Sequence, residues 1–292
     1  MMTNVYEKFY PTNFFSPIQL FLLVTLFAFP NVDGVVSSRI LMVGDSMAEF
    51  MGQALESFCA NSKVYNAGIG GTTAQQWSSY SKDDLPSECG MGSWDVVYIS
   101  VGGNDMLNSG CSMTSSELKD RIENAITNVV NNLAPGASKY VLTGYCMPSQ
   151  PEEDSNSAGG CNTPADFLAI SDAFNDISSQ SLGLSNSSLV INDSISLCGG
   201  SKSSFSDFQY FQDSIHLNAK GYCNVFSQPS IQSGLLCDAS EEETDCASLN
   251  GNELYGLEEN CYSDNAAGKI RVSCTLKFLT FTSSLLFLYL FH

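Results

Sequence analysis

A chain of 292 residues with 43% hydrophobic content, 18 Phe and 12 Tyr is long and apolar enough to bury one sizeable core, which excludes global disorder. Its 31 acidic residues against 12 basic ones leave a net charge of −19. That charge excludes a nucleic-acid binder, which needs a basic footprint, and argues against docking of the folded domain on anionic lipid.

The first 37 residues have the layout of a secretory signal peptide. Ile18 to Phe29 is an apolar run shorter than a membrane span, Lys8 precedes it, and Gly34, Ser37 and Ser38 supply small residues for cleavage. An uncleaved anchor is the alternative, and the run is short for one. Residues 38–232 then alternate strand and helix. Ile40 to Val43 is a short apolar strand without polar alternation, followed by helical spacing from Met47 to Phe58. Val64 to Asn66 is a second strand leading into the glycine-rich turn Gly68-Ile69-Gly70-Gly71. Asp95 to Val101, rich in β-branched and aromatic residues, is the clearest strand. Thr114 to Glu117 reads as a capping box opening a helix that ends near Leu133, before Pro135-Gly136. Tyr140 to Thr143 is the next strand, Pro148 to Thr163 a polar loop, Pro164 to Ser181 a helix, and Leu189 to Ile191 a last strand. Strands and helices at this spacing predict a parallel sheet covered by helices on both faces.

Residues 233–265 change character: they are acidic, contain Glu241-Glu242-Glu243 and show little periodicity, as expected of a stalk or a C-terminal wrap. Residues 266–292 close the chain with small residues, a polar spacer and the apolar run Phe278 to Phe291, the order of a glycosylphosphatidylinositol attachment signal. Asn265 is the expected attachment residue because two Ala follow it, with Asp264 or Ser263 as substitutes. A C-terminal transmembrane helix is the alternative. The eleven cysteines are an odd number, and cleavage after Asn265 removes Cys274 and leaves an even set for pairing. No two cysteines stand at C-x-x-C spacing, so neither a zinc knuckle nor a thioredoxin-like site is expected. Asn186 and Asn192 begin N-x-Ser glycosylation sequons, in keeping with the same secretory route.

Histidine narrows the chemistry. The chain has two, and His292 falls in the cleaved tail, so an imidazole base in the mature protein must be His216. Asp213 stands three residues before it, a spacing that on a tight loop lets the carboxylate accept from the ring and fix its tautomer, the orienting role of the acid in a serine triad. Ser46 sits between a buried strand and a helix, at the sheet edge where open α/β folds bind ligands and where a helix N-terminus favours negative charge. The G-x-S-x-G elbow is absent. Two further segments supply donors for an oxyanion: the backbone N–H of Gly71 at the end of the glycine turn, and the side-chain amide of Asn104 after the clearest strand.

Four segments in this order, Gly44-Asp45-Ser46, Asn66 to Thr73, Gly102-Gly103-Asn104-Asp105 and Asp213-Ser214-Ile215-His216, resemble the blocks of the SGNH (GDSL-type) hydrolase family. The resemblance spans roughly Ile40 to Tyr222. It implies an α/β protein with a three-layer α/β/α flavodoxin-like fold and a central parallel sheet, needing no metal or cofactor. It implies Ser46 as nucleophile, His216 as base, Asp213 as its orienting acid, and an oxyanion hole from Ser46 N–H, Gly71 N–H and Asn104, with Gly70 the neighbouring alternative to Gly71. Ser214 departs from the pattern, where many relatives have Gly.

The expected function is hydrolysis of carboxylic esters, acyl or acetyl esters of carbohydrate or lipid, through an acyl-enzyme. An acyltransferase on the same site and an inactive surface binding protein are the alternatives. The expected setting is the cell surface, as a monomer held to the membrane by a lipid anchor only.

Overall fold

A computed structural model of the chain describes residues 38–59, 62–90, 92–150 and 161–237. The signal peptide, most of the acidic segment, Asn265 and the apolar tail lie outside the described residues, as do Cys246, Cys261 and Cys274.

The elements run β1 (Arg39–Gly44), α1 (Ser46–Phe58), β2 (Lys63–Asn66), the one-turn helices α2 (Ala74–Trp77) and α3 (Ser87–Gly90), β3 (Val96–Ser100), α4 (Gly103–Asn108), α5 (Ser115–Asn128), β4 (Lys139–Thr143), α6 (Leu168–Asn175), β5 (Leu189–Asn192), α7 (Ala219–Phe226) and α8 (Pro229–Leu235). The strands form one sheet in the order β2-β1-β3-β4-β5, with every neighbouring pair parallel. Parallel strands need helical crossovers, which cover both faces, and this explains the unbroken apolar runs in β1 and β3. Alternate residues serve opposite cores. Leu41, Val43, Val97, Ile99 and Leu142 join Trp77 of α2, Leu118, Ile122 and Ile126 of α5, and Phe174 of α6. The intervening Ile40, Met42, Val96, Tyr98 and Val141 meet Met51 and Leu55 of α1, Tyr222 and Phe226 of α7, and Ile231 and Leu235 of α8. The result is the expected three-layer α/β/α fold.

Three local outcomes refine the sequence reading. The Thr114–Glu117 capping box forms as expected, with Thr114 N–H donating to Glu117 Oε2 at 3.0 Å, and the helix it opens passes into a π turn over Val129–Leu133. The helix expected from Pro164 to Ser181 is shorter: a 3-10 turn at Pro164–Phe167 leads into α6, which stops at Asn175. Serines end it, because Ser178 and Ser181 bond each other's backbone and so compete with helix continuation. At the C-terminus, α8 runs past Gln232 to Leu235, which is fully buried.

Three disulfides link described residues: Cys59–Cys237, Cys111–Cys161 and Cys146–Cys198. The first joins the end of α1 to the residues just after α8. Among the described residues no helix is long and apolar enough to cross a membrane.

The functional edge of the sheet begins where β1 ends. Gly44 is paired with Ser100 of β3, adopts φ +143°, and brings Asp45 N–H to 3.0 Å from the Ser100 carbonyl. A Cβ on Gly44 would stand 1.9 Å from that carbonyl oxygen, a collision with backbone that no rotamer relieves. Gly44→Ala should therefore lower the unfolding free energy by roughly 3 kcal/mol or more, measured by urea unfolding of the purified protein. A loss below about 1 kcal/mol would show that the strand end can separate from β3.

Candidate active site

The sequence places four chemical segments far apart, and the parallel sheet collects them. Ser46 follows β1, the glycine turn follows β2, and Asn104 follows β3, all at the carboxyl ends of neighbouring strands. His216 arrives from the loop before α7. Its Nε2 lies 2.9 Å from Ser46 Oγ, and its Nδ1 lies 2.7 Å from Asp213 Oδ2.

The loop bearing His216 is held tightly. Gln212 N–H donates to the His216 carbonyl, closing the turn, and Ser149 N–H donates to the Ser214 carbonyl. Asn218, almost fully buried, caps α7 by accepting from Lys220 and Gly221 N–H, while its amide donates to the carbonyls of Gln209 and Phe211. Phe50 of α1 meets the imidazole edge to face at 4.9 Å.

Asp213 is built to stay ionised. Burial alone would raise its pKa, but donors from the His216 ring, His216 N–H and Ile215 N–H outweigh this and bring it down to about 2. An ionised carboxylate only accepts hydrogen bonds, so the imidazole proton sits on Nδ1. The Nε2 lone pair is left facing the Ser46 hydroxyl.

Ser46 opens α1, with Asp45 as N-cap accepting from Met47 N–H at 3.0 Å. The glycine turn lies alongside: a Cβ on Gly70 would be 3.9 Å from Ser46 Cβ. Gly71 has φ +76° and open space where a side chain would stand, so its peptide adopts a conformation that most residues avoid. Asn104 donates one amide hydrogen to the Thr72 carbonyl at 2.9 Å, which leaves its second for an acceptor beside Ser46. Asp105 accepts from Ala74 N–H at 2.6 Å and from Arg121 at 3.1 Å, tying the segment after β3 to α2 and α5.

Of the residues that sequence reasoning singled out, the structure joins Ser46, His216 and Asp213 in one chain of bonds and sets Asn104 in the same cavity wall as Ser46. Gly71 follows directly on Gly70, the glycine that lies beside Ser46. Sequence reasoning missed Tyr145. This hydroxyl donates to Asp45 Oδ2 at 2.5 Å and accepts from Gly103 N–H at 3.0 Å, bridging the segments that carry Ser46 and Asn104. Its position just after β4, at the same edge of the sheet, was the available signal. The site opens into a partly open cavity with about 560 Å³ of free space, solvent at its mouth included. Its walls include Met106, Leu107 and Pro148 and, from segments read only as structural, Phe167, Ile170 and Ile195. Among the described residues no group of three His, Cys, Asp or Glu is placed to hold a metal ion. Of the two sequon residues, Asn186 is exposed, whereas Asn192 ends β5 half-buried with its amide 3.4 Å from Ser230 Oγ.

Residues 40–228 match the family described as GDSL-like lipase/acylhydrolase. No curated protein sequence matches the chain. Among solved structures, a protein from Streptococcus pneumonia assigned as a platelet activating factor superposes with a TM-score of 0.50 at 19% identity, covering 75% of this chain and 96% of that one. That likeness extends to the fold. A GDSL-like lipase from Bacteroides thetaiotaomicron aligns with a TM-score of 0.46 at 15% identity, over 67% of this chain and 88% of its own. A catalytic mutant of an acetylxylan esterase from Geobacillus stearothermophilus gives 0.45 at 13% identity, over 68% and 94%.

The second carboxylate of the site titrates in the opposite sense from Asp213. Burial raises Asp45 to about 6, against the lowering effect of bonds from Tyr145 and Met47 N–H. A group that binds its proton more tightly when folded contributes stability that is full below about pH 4 and is lost as pH rises through about 6. Asp45→Asn keeps an N-cap acceptor and removes the titration. The unfolding free energy of the native chain minus that of the variant should fall by up to about 3 kcal/mol from pH 4 to pH 7, read by denaturant titration. A difference that does not change with pH would rule out Asp45 as a buried acid.

Proposed function

This chain belongs to the GDSL-like lipase/acylhydrolase family and is a carboxylic ester hydrolase, and from that premise we propose that it works through a Ser46–His216–Asp213 triad and a covalent acyl-enzyme. The observation that carries the reading is the continuous chain of bonds from Ser46 Oγ through His216 to an ionised Asp213.

His216 Nε2 takes the proton of Ser46 as Oγ attacks the ester carbonyl. The carbonyl oxygen becomes an oxyanion facing Ser46 N–H, Gly71 N–H and the second amide hydrogen of Asn104. His216 then returns the proton to the departing alcohol. A water molecule, deprotonated by the same nitrogen, attacks the acyl carbon, and the carboxylic acid leaves with Ser46 restored. Asp213 holds the tautomer throughout and stabilises the imidazolium formed in each half. A protein that only bound ligands would have no use for an imidazole lone pair aimed at a serine hydroxyl, which speaks against the inactive alternative.

We also take the protein to act outside the cell on a lipid anchor, with esters of extracellular carbohydrate or lipid as substrates. Support comes from three disulfides within the domain, which persist in oxidising compartments, and from the signals at both ends of the sequence.

Ser46→Ala should abolish turnover of a short-chain chromogenic ester by the purified protein, and equal rates in both proteins would sink the triad. Asn104→Ala should lower kcat by about 10²- to 10³-fold with KM little changed, because its free donor meets charge that develops only in the transition state. A rise in KM at unchanged kcat would instead make Asn104 a ground-state binding residue.

A further inference from the structure

The tetrahedral intermediate has two substituents besides the serine oxygen and the oxyanion, and the site offers them unlike surroundings. The alcohol oxygen must lie against His216 Nε2, since that nitrogen returns its proton when the bond to the acyl carbon breaks and Ser46 Oγ keeps the acyl group. On that side the reacting groups reach solvent: the His216 side chain is 24% exposed and that of Asp213 53%. Ser46 and Asn104 line the cavity together with Ile215 of the His216 loop, whereas the His216 and Asp213 side chains are not among its lining residues in the described part of the chain. With the alcohol against the imidazole, the cavity is the space left for the acyl substituent.

Its walls are apolar where they do not belong to the reacting groups: Met106 and Leu107 from α4, Met147 after β4, Phe167 and Ile170 from the turn and helix of α6, and Ile195. Its buried polar side chains are already engaged, Asp45 with Tyr145 and Met47 N–H. An acetyl methyl next to the reacting carbon would touch few of these side chains, whereas an aliphatic chain of several carbons could lie against most of them. The walls are also braced in pairs. Cys111–Cys161 joins the segment after α4 to the one leading to Phe167, and Cys146–Cys198 joins the β4 loop to the segment that bears Ile195.

Resting on the triad reading, we infer that this enzyme selects its substrate by the acyl group, an aliphatic chain of several carbons held in a cavity of fixed walls, while the alcohol projects into solvent and is read weakly. The acetyl side of the family's chemistry is then the poorer fit, whatever the alcohol, whether a sugar or a glycerol-like headgroup.

The experiment measures kcat/KM on two ester series with the native protein and Ser46→Ala: acetyl to octanoyl on one alcohol, and one acyl group on alcohols of matched acidity, from methyl to glyceryl and glucosyl. The expected result is a rise of about fourfold per methylene until the cavity fills, against a several-fold spread at most across the alcohols. Ile170→Trp and Leu107→Trp, which fill the cavity, should each lower the hexanoyl-to-acetyl ratio by about tenfold or more. Leu107 is half-exposed, so this variant keeps the test standing if Ile170→Trp fails to fold. Ser46-dependent turnover that favours acetyl, follows the alcohol more than the acyl chain, or loses all acyl esters equally in both variants would overturn the inference and leave the triad intact. Absence of turnover, or turnover unaffected by Ser46→Ala, would overturn the triad and the inference with it.

Discussion

Everything at the site depends on how closely the end of β1 approaches the end of β3. The missing side chain at Gly44 lets Asp45 N–H reach the Ser100 carbonyl, so the chain leaves β1 turning directly over β3. Ser46 then opens α1 beside the place where Gly102, Gly103 and Asn104 leave β3. Ser46 and Asn104, the proposed nucleophile and oxyanion donor, lie nearly sixty residues apart in sequence and become neighbours because two parallel strands end in register. The geometry of the chemistry is thus a property of backbone pairing before it is a property of any functional side chain.

Buried polar groups convert that proximity into fixed distances. Asp105 satisfies backbone donors at the start of α2 and the guanidinium of Arg121, while Asn104 beside it donates to the Thr72 carbonyl. Thr72 is itself fixed by its hydroxyl, which donates to the Ile69 carbonyl and accepts from the Trp77 indole. The segment after β2 and the segment after β3 are therefore one unit. Tyr145 couples that unit to the nucleophile through Asp45 and Gly103. Such a network rigidifies a site only when its members are satisfied, and these bonds run from 2.5 to 3.1 Å.

The parts legible in the sequence are those carried by local pattern. Unbroken apolar runs gave β1 and β3, the Thr114–Glu117 spacing gave the start of α5, and scarcity together with Asp213 three residues before it singled out His216 as the candidate base. The Asp213–His216 pairing could be anticipated because both residues lie on one short loop. Tyr145 was harder to anticipate, since its partners Asp45 and Gly103 lie 100 and 42 residues before it in no pattern, and only the sheet order joins them. The same holds for Phe167, Ile170 and Ile195, whose apolar character is equally consistent with core packing. α6 ended early because serine hydroxyls competed for the backbone, an effect that helical periodicity does not register.

Two aspartates flank the Ser46–His216 pair, and environment alone separates their roles. Asp213 is half-exposed and receives three donors, so its charge is stabilised and its pKa falls to about 2. Asp45 is adjacent to the nucleophile in sequence, yet it is fully buried, and desolvation raises it to about 6 despite two donors. Its oxygens are committed to Met47 N–H and the Tyr145 hydroxyl. It shapes the start of α1 and the Gly103 peptide, and the charge that the proposed triad needs is kept at the solvent-facing edge, where ionisation costs less. In the proposed mechanism that edge is also where the alcohol departs. Placing the permanent charge there leaves the opposite side of the serine, among the described residues, with no unpaired carboxylate, a condition for the proposed apolar acyl cavity next to the reacting carbon.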